Sequence, residues 1–462
     1  MNTVALALRN LLRNQRRSLT TLLALMLGAI SILLFGGYVR NIIDGMETSF
    51  VSQGGHLQIQ HRDFFSYGTG NPTAYAIADY QSIIDRLKSD PVLEPMLSVV
   101  TPTLQIGGIA GNFALGVSRS VLGNGLVVED QNQMRRWNDY NFPITMQPLA
   151  LLGTKDDAAV IGTGVARVLQ LCAQLKVNNC EPPISAPVSQ NENIPTDIAA
   201  LSAPDNNPVN EVGSTRIELL APNAHGAPNV AQLSVVKAED QGIKELDDIF
   251  IALHLPEAQR LVYGNSAPRV TAIIVQLKHT RDIPAAKARI EQLLAKSFNN
   301  QPLAVLDFMT LNPFFGQTVK MFDTIFGFIS VLIGAIMLFM LGNTMSMTVI
   351  ERTVEIGTLR AIGLHRDGIR RLFLCEGLLL GSIGVTLGIS VALILAYLIT
   401  HSGLNWMPPG RTARMPIVVT IWGNTSLIVI SAVGLILIAA LSTWWPARLA
   451  AKMHIVDALR HT

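Results

Sequence analysis

Four long apolar runs constrain the fold of this chain more than any other feature of its sequence. They cover residues 19–39, 324–347, 372–399 and 424–444. Each is long enough for a helix to cross the hydrocarbon core of a bilayer, which takes roughly 20 residues. Because 49% of the residues are hydrophobic and only 15% are charged, the sequence predicts a membrane protein with four transmembrane helices.

The arginines near these runs predict the orientation, because Lys and Arg beside a span are retained on the cytoplasmic side. Arginines are concentrated in three segments: residues 1–18, 348–371 and 445–462. Those segments, and with them both termini, are predicted to be cytoplasmic. Residues 40–322 and the short loop 400–423 are then predicted to lie outside, although Arg411 and Arg414 in that loop depart from the charge pattern.

Residues 1–18 place apolar and basic side chains on separate helical faces. The apolar face carries Val4, Leu8, Leu11 and Leu12, and the basic face carries Arg9, Arg13, Arg16 and Arg17. An amphipathic helix in the inner membrane interface would place these arginines near anionic lipid headgroups. A cytoplasmic extension of the first span fits the same pattern.

The outer region mixes strand and helix signals. The alternation in GGHLQIQH predicts a half-buried strand, and the order RVTAIIVQL, IPAAKARIEQLLAKSF, LAVLDF predicts a strand, a helix and a strand. AAVIGTGVARVLQL predicts a strand that turns into a helix at Gly162 and Gly164. The predicted fold class is an α-helical membrane domain of four transmembrane helices plus a large α+β periplasmic domain inserted between helices 1 and 2.

Residues from about 177 to 213 are rich in Asn and Pro and poor in aromatic residues. This composition buries too little apolar surface to offset the entropy of ordering, so the segment is predicted to be a mobile loop. Cys172 lies five residues before this segment and Cys180 lies near its start. They could form a disulfide in an oxidising compartment, and two unpaired thiols fit equally well.

The third apolar run contains two glycine pairs with GxxxG spacing, Gly377 with Gly381 and Gly384 with Gly388. Small residues four apart share one helical face and let a second helix approach closely. The pairs predict a contact face inside the membrane, with a helix of the same chain or of another.

Sequence motifs for catalysis are absent. The chain has no G-x-x-x-x-G-K-[ST], H-E-x-x-H or G-x-S-x-G, and its histidines are not at metal-ligand spacing. We therefore expect no catalytic residue, cofactor or metal in this chain. Its net charge of +2 gives no reason to expect nucleic acid as a partner.

Glu376 is a carboxylate at the inner end of the third run. Such residues often mark ion pathways in membranes. Because Arg370 and Arg371 are close in sequence, an ion pair with them is predicted in preference to a proton relay.

Residues 351–371, ERTVEIGTLRAIGLHRDGIRR, are the most charged segment between two apolar runs. They predict a short amphipathic helix from Glu351 to about Ala361, ended by Gly363 in a left-handed cap. Its charges have both signs, whereas a segment that binds lipid headgroups would be uniformly basic. The pattern therefore predicts docking on a protein.

This segment resembles the MacB/FtsX/LolC-type permease subunits of ABC transporters. The family pattern E-R-x-x-E-I-G-x-L-(R/K)-A-(I/L)-G is matched from Glu351 to Gly363, and E-G-x-x-x-G from Glu376 to Gly381. Other similar segments are VIGTGVARVLQL, ELDDIFIALHLPEAQRLVYG with Asp247 and Gln259 in place, and the tail WWPARLAAKMHIVDALRHT. Two departures are Ile455 in place of a second proline, and KVNNC where the family has Gly-Asp.

The resemblance implies a mechanotransmission (type VII) permease in a bacterial inner membrane. It implies a dimer with a second permease subunit, identical or different, and a separate cytoplasmic ATPase dimer that binds ATP and Mg²⁺. The implied coupling residues are Glu351, Arg352, Glu355, Gly357, Arg360 and Gly363. ATP-driven closure would move the outer domain, which extracts or exports a hydrophobic or lipidated cargo, as in lipoprotein release.

Two alternatives remain open from the sequence. One is MacB-like efflux of drugs or peptides through an outer-membrane duct, with a periplasmic carrier or adaptor as a further partner. The other is a membrane receptor or regulator that does not transport.

Overall fold

The computed structural model describes residues 3–13, 15–68, 70–142, 147–178, 180, 215–407 and 414–452. The chain divides into two compact units. The helical unit consists of Met1–Met46, Phe314–Trp406 and Met415–Thr462, and the sheet unit consists of Glu47–Pro313 and Met407–Arg414. Most of the predicted loop at 177–213 lies outside the described residues, as do Arg411 and Ile455.

The helices are α1 (Thr3–Arg13), α2 (Gln15–Gly54), α3 (Phe64–Tyr67), α4 (Tyr80–Lys88), α5 (Val128–Met134), α6 (Thr163–Val168), α7 (Cys172–Leu175), α8 (Lys244–Asp247), α9 (Leu255–Tyr263), α10 (Ile283–Ser297), α11 (Phe308–Leu311), α12 (Pro313–Glu351), α13 (Thr353–Ala361), α14 (Arg366–His401) and α15 (Thr425–Lys452). Short 3₁₀ turns lie at Pro72–Tyr75, Phe113–Leu115 and Thr280–Asp282.

Among the described residues, four helices are long and apolar enough to cross a membrane: α2, α12, α14 and α15. This confirms the four membrane-capable segments. The helices extend well beyond the apolar runs, because each added residue completes another backbone hydrogen bond until a breaker intervenes. For α2 the breaker is Gly55, whose φ of +70° is incompatible with a right-handed helix.

The strands are β1 (Leu57–His61), β2 (Leu97–Asn112), β3 (Val117–Leu126), β4 (Ala158–Gly162), β5 (Arg216–Pro222), β6 (Pro228–Glu239), β7 (Phe250–His254), β8 (Ala272–Leu277), β9 (Leu303–Asp307), β10 (Asn405–Trp406) and β11 (Met415–Pro416). In the described part of the chain, β1 to β9 form a nine-stranded sheet in the order β3-β7-β4-β6-β5-β2-β8-β1-β9. Its pairings are both parallel and antiparallel, which confirms a mixed α/β region between the first two apolar helices.

Six of the described strands, in the order β3-β7-β4-β6-β5-β2, close into a ring because β3 pairs with β2 as well as with β7. Inward side chains such as Leu104, Ile161 and Leu233 are fully buried, and α9 packs on β2, β3 and β6. Burying one such side chain stabilises the fold by about 1.5–3 kcal/mol. The predicted strand-helix-strand is present as β8-α10-β9, with β1 antiparallel to both strands and between them.

The four glycines of α14 pack against two different helices of the same chain. A Cβ on Gly377 or Gly381 would lie within 3 Å of Thr443 or Ala439 of α15. On the other side, added Cβ atoms would lie 2.8 Å from Leu25 Cβ for Gly384 and 2.6 Å from Ala29 Cβ for Gly388. The two GxxxG pairs are therefore separate close-packing faces, one for α15 and one for α2.

Replacing Gly388 by Val should lower the stability of the helical unit by about 1–3 kcal/mol, the usual cost of overpacking a filled site. Gly434→Val in α15 is the matched control, because nothing lies within 4 Å of the position its Cβ would take. Thermal unfolding of the full chain in detergent would measure both. Equal losses for the two variants would contradict the packing at Gly388.

His56 is a buried histidine that the fold keeps neutral. Its Nδ1 accepts a hydrogen bond from the Leu277 amide at 3.0 Å, Nε2 lies 3.3 Å from Thr280 Oγ1, and the ring packs edge-on against Trp137. Burial lowers the pKa of His56 to about 4, although the Asp139 charge acts in the opposite direction. The neutral His56 ring thus links the start of β1 to the end of β8 through its hydrogen bond with Leu277.

Acid should therefore weaken the sheet unit. A lowered pKa means that the unfolded chain binds a proton at His56 before the folded chain does, so the stabilisation is complete above about pH 6.5 and is lost towards pH 4. The loss by pH 4 is about 3 kcal/mol. In His56→Gln, the deficit in unfolding free energy relative to wild type should be largest at pH 7 and shrink by that amount at pH 4. A deficit that does not change with pH would contradict this prediction.

Candidate functional site

The coupling segment, residues 351–371, begins where α12 ends. Arg352 interrupts the helix with φ −100° and ψ 16°, and α13 starts at Thr353. The predicted helix therefore begins two residues later than expected, at Thr353. The Arg352 amide still donates a hydrogen bond to the Thr348 carbonyl at 3.2 Å, so the helix break leaves this amide paired.

Gly363 ends α13 as predicted. Its φ is +107°, a region that favours glycine. The Gly363 amide donates to the Arg360 carbonyl at 3.1 Å and the Leu364 amide to the Leu359 carbonyl at 3.0 Å. These two bonds form a Schellman motif, which turns the chain from α13 into α14.

One face of α13 is packed against the helical unit. Thr353, Ile356 and Gly357 are buried on that face. Ile356 belongs to an apolar cluster with one residue from α12, two from α14 and three from α15: Val349, Ile369, Phe373, Ala447, Ala450 and Ala451. The coupling segment is thereby fixed to the ends of three membrane-capable helices.

A network of charged and polar side chains joins the coupling segment to α1 and α14. Glu376 Oε1 accepts hydrogen bonds from Asn10 Nδ2 at 2.6 Å and from Arg352 Nη1 at 3.1 Å. Arg352 Nε also donates to Glu355 Oε2 at 2.9 Å, and Arg13 pairs with the other Glu355 oxygen. Arg352 therefore lies at the centre of the network and binds both of its carboxylates.

Glu355 is ionised in this setting. Burial raises the pKa of its carboxyl group, but the hydrogen bonds and positive charges of Arg352 and Arg13 outweigh burial and hold the pKa below its ordinary value. An ionised Glu355 pairs with both Arg352 and Arg13 at neutral pH, but the Arg13 and Glu355 side chains are 56% and 45% exposed, so their pair adds at most about 1 kcal/mol.

The prediction that Glu376 forms an ion pair with Arg370 and Arg371 was wrong. Arg370 pairs instead with Asp367 at 3.2 Å, and Glu376 pairs with Arg352. At 100° per residue, Arg370 and Arg371 lie on other faces of α14 than Glu376 does. Arg352 reaches it from the end of α12, where its amide still donates to the Thr348 carbonyl at 3.2 Å.

The predicted coupling residues divide into distinct environments. Glu351, Glu355 and Gly363 are exposed, Arg352 and Arg360 are half-buried, and Gly357 is buried. Sequence reasoning missed the apolar residues beside them: Ile350 is 61% exposed, Val354 46% and Ile362 80%. For Val354 and Ile362 the available signal was helical spacing, which places them away from the face of α13 that carries Thr353, Ile356 and Gly357, whereas Ile350 belongs to α12.

Two family-like segments of the sheet unit meet at the start of α6. Asp247, from the ELDDIF segment, accepts hydrogen bonds from the amides of Thr163 at 2.8 Å and Gly164 at 2.9 Å. A Cβ on Gly162 would lie 2.0 Å from the Asp247 carbonyl oxygen. The carboxylate caps the helix from a distant part of the chain, which gives Asp247 a structural role.

Cys172 and Cys180 are joined by a disulfide with a Cα–Cα distance of 6.2 Å. Cys375, in α14, is a half-buried free thiol. In the part of the chain that the structure describes, no group of three or more His, Cys, Asp or Glu side chains could hold a metal ion.

The Arg352–Glu376 pair should show strong energetic coupling. Removing one partner from a buried pair costs about 3–5 kcal/mol, since the other charge is left unpaired. We therefore expect Arg352→Met and Glu376→Gln each to lower the unfolding free energy of the full chain in detergent by about that amount. The double variant should lose little more than either single variant does. The control cycle uses the exposed Asp367–Arg370 pair, whose coupling should be below about 1 kcal/mol. Additive costs at Arg352 and Glu376 would refute the pairing.

Comparisons with known proteins agree with this architecture. The family model described as FtsX-like permease C-terminal matches residues 327–455, a range that contains the coupling segment and the glycines of α14. An ABC transporter permease of Methanocaldococcus jannaschii, MJ1507, is 29% identical over 222 residues, which is 46% of this chain and 51% of that protein.

Two further relatives carry functional names. The macrolide export ATP-binding/permease protein MacB of Rhodopirellula baltica is 26% identical, over 41% of this chain and 26% of that protein. The lipoprotein-releasing system transmembrane protein LolC of Xylella fastidiosa is 24% identical, over 51% of this chain and 56% of that protein. The matches thus span between about a quarter and a little over half of each relative. Residues 327–455 form an FtsX-like permease domain, and the chain is a homologue of ABC transporter permeases that include MacB and LolC.

Proposed function

We propose that this chain is the membrane subunit of an ABC transporter in a bacterial inner membrane and that a separate cytoplasmic ATPase binds its coupling segment. The observation that carries the proposal is that α13 has one packed face and one exposed face. One side is packed on α12, α14 and α15, and the other presents Val354 and Ile362. A helix that is held on one side and has exposed apolar side chains on the other is suited to receive a partner and to pass on its movement.

The charge network supplies the path for that movement. Arg352 ties the start of α13 to Glu376 of α14, and Glu355 ties α13 to Arg13 of α1. A partner that displaced α13 would have to move α14 with it or separate a buried ion pair, which is costly in a poorly solvated site. ATP-driven closure of the ATPase would therefore shift α14 rather than bend the coupling segment.

The cytoplasmic side is assigned by charge. Arg9, Arg13 and Arg16 precede α2, and Arg366, Arg370 and Arg371 open α14, so the positive-inside rule places both groups inside the cell. The sheet unit then lies outside. The disulfide between Cys172 and Cys180 is consistent with the oxidising periplasm.

The proposed cargo is hydrophobic or lipidated and is extracted or exported at the outer side of the membrane. The LolC relative, named for lipoprotein release, supports this class over about half of the chain. The MacB relative supports macrolide export instead. A second permease subunit and a periplasmic carrier or adaptor complete the proposed assembly.

The exposed apolar residues of α13 provide a sharper test of ATPase binding than its charged residues. Replacing Arg352 or Glu355 would also loosen α13 from the helical unit, whereas Ile362 is 80% exposed. We expect Ile362→Glu to reduce copurification of an ATPase at least tenfold, because a charge would enter an apolar contact. Mass spectrometry of the chain isolated in mild detergent would count copurified proteins that carry G-x-x-x-x-G-K-[ST].

The matched control is Ile362→Leu, which keeps the apolar surface and should retain the ATPase at the wild-type level. Both variants should unfold at the wild-type temperature, because Ile362 adds little to the packed face. If Ile362→Glu held the ATPase as wild type does, the proposed contact would be wrong.

A further inference from the structure

An apolar groove lies between α14 and α15 near the coupling segment. Its volume is about 330 Å³, and its lining consists of Leu374, Leu437, Ala440, Leu441 and Trp444. The side chains that line it from α15 are open to the surroundings: Leu437 is 56% exposed, Leu441 60% and Trp444 50%. The groove lies on helices that are apolar enough to cross a membrane, so its open side faces hydrocarbon.

Two arginines stand at the end of this groove nearest the coupling segment. Arg371 precedes Leu374 by one helical turn, and Arg448 follows Trp444 by one turn. The Arg448 guanidinium lies 5.6 Å from the centre of the Trp444 ring. The two helix ends are neighbours, since Ile369 and Phe373 of α14 share an apolar cluster with α15.

Both arginines are exposed. Among the residues that the structure describes, no carboxylate lies within ion-pair distance of Arg371 or Arg448, whereas Arg352 and Arg370 each have one. An unpaired guanidinium at the edge of a hydrocarbon layer favours an anion, and its planar fork matches phosphate. The groove and the arginines thus offer an apolar and an anionic subsite side by side.

We propose that this site binds one anionic phospholipid from the adjacent leaflet, with an acyl chain along the groove and its phosphate at Arg371 and Arg448. The charge pattern favours a lipid over a second copy of this chain. In a twofold contact each groove would meet the same surface of its partner, which would bring arginines towards arginines and supply no anion.

The proposal can be tested on the full chain in detergent by native mass spectrometry, with phosphatidylglycerol and phosphatidylcholine as probes. Wild type should bind phosphatidylglycerol at least tenfold more tightly than phosphatidylcholine, because each basic residue near an anionic headgroup adds to its binding. Arg371→Gln combined with Arg448→Gln should reduce its affinity to that of phosphatidylcholine. The corresponding double replacement by Lys should keep most of the preference.

Two further variants separate the subsites. Ala440→Leu fills the groove and should weaken the binding of both lipids to the same extent. Arg366→Gln removes another exposed arginine on a different face of α14 and should change the affinity for neither lipid. Equal affinity of wild type for the two lipids would overturn the proposal, as would a preference that survives loss of both arginines. So would a dimer that Ala440→Leu dissociates while phosphatidylglycerol does not bind, since the groove would then hold a second copy.

Discussion

The helical unit depends on one buried carboxylate and the arginine that neutralises it. Glu376, in the first half of α14, is only 2% exposed, and an ion without a partner there would cost several kcal/mol. Arg352 meets this need from the point where the chain leaves α12. The helix break at Arg352 and the ion pair with Glu376 therefore meet in one residue, between α12 and α13.

The second constraint is the central position of α14. Its glycines allow α15 to approach on one side and α2 on the other, while Glu376 holds Arg352 and Asn10. Without Cβ atoms at these positions, helix backbones approach closely and gain dispersion contacts that larger residues would prevent. A helix bound in this way on several sides moves with its neighbours. That is the property a transmission element needs, and it arises from small residues as much as from charge.

The sequence was sufficient for the features that depend on local pattern. Apolar runs predicted the four membrane-capable helices, alternation predicted β1, and Gly363 predicted the end of α13. It was insufficient where contacts join distant residues. Arg13 and Asn10 lie more than 340 positions from Glu355 and Glu376, and no spacing rule links them. The ring closure through β2 and β3 likewise depends on long-range pairing, since β3 also joins β7 far along the chain.

The expectation for Glu376 failed for a different reason. Closeness in sequence suggested Arg370 and Arg371, but helical rotation places residues five and six positions apart on different faces. That geometry was available from the sequence alone. Once it is applied, the charges of the coupling segment separate by role. Arg352 and Glu355 pair at the start of α13, Asp367 and Arg370 pair at the start of α14, and Arg371 has no carboxylate within ion-pair distance among the described residues. Mixed charge therefore does not by itself make this segment a docking surface: the charges of α13 fix its position, and the apolar residues left exposed on its other side are the ones available to a partner.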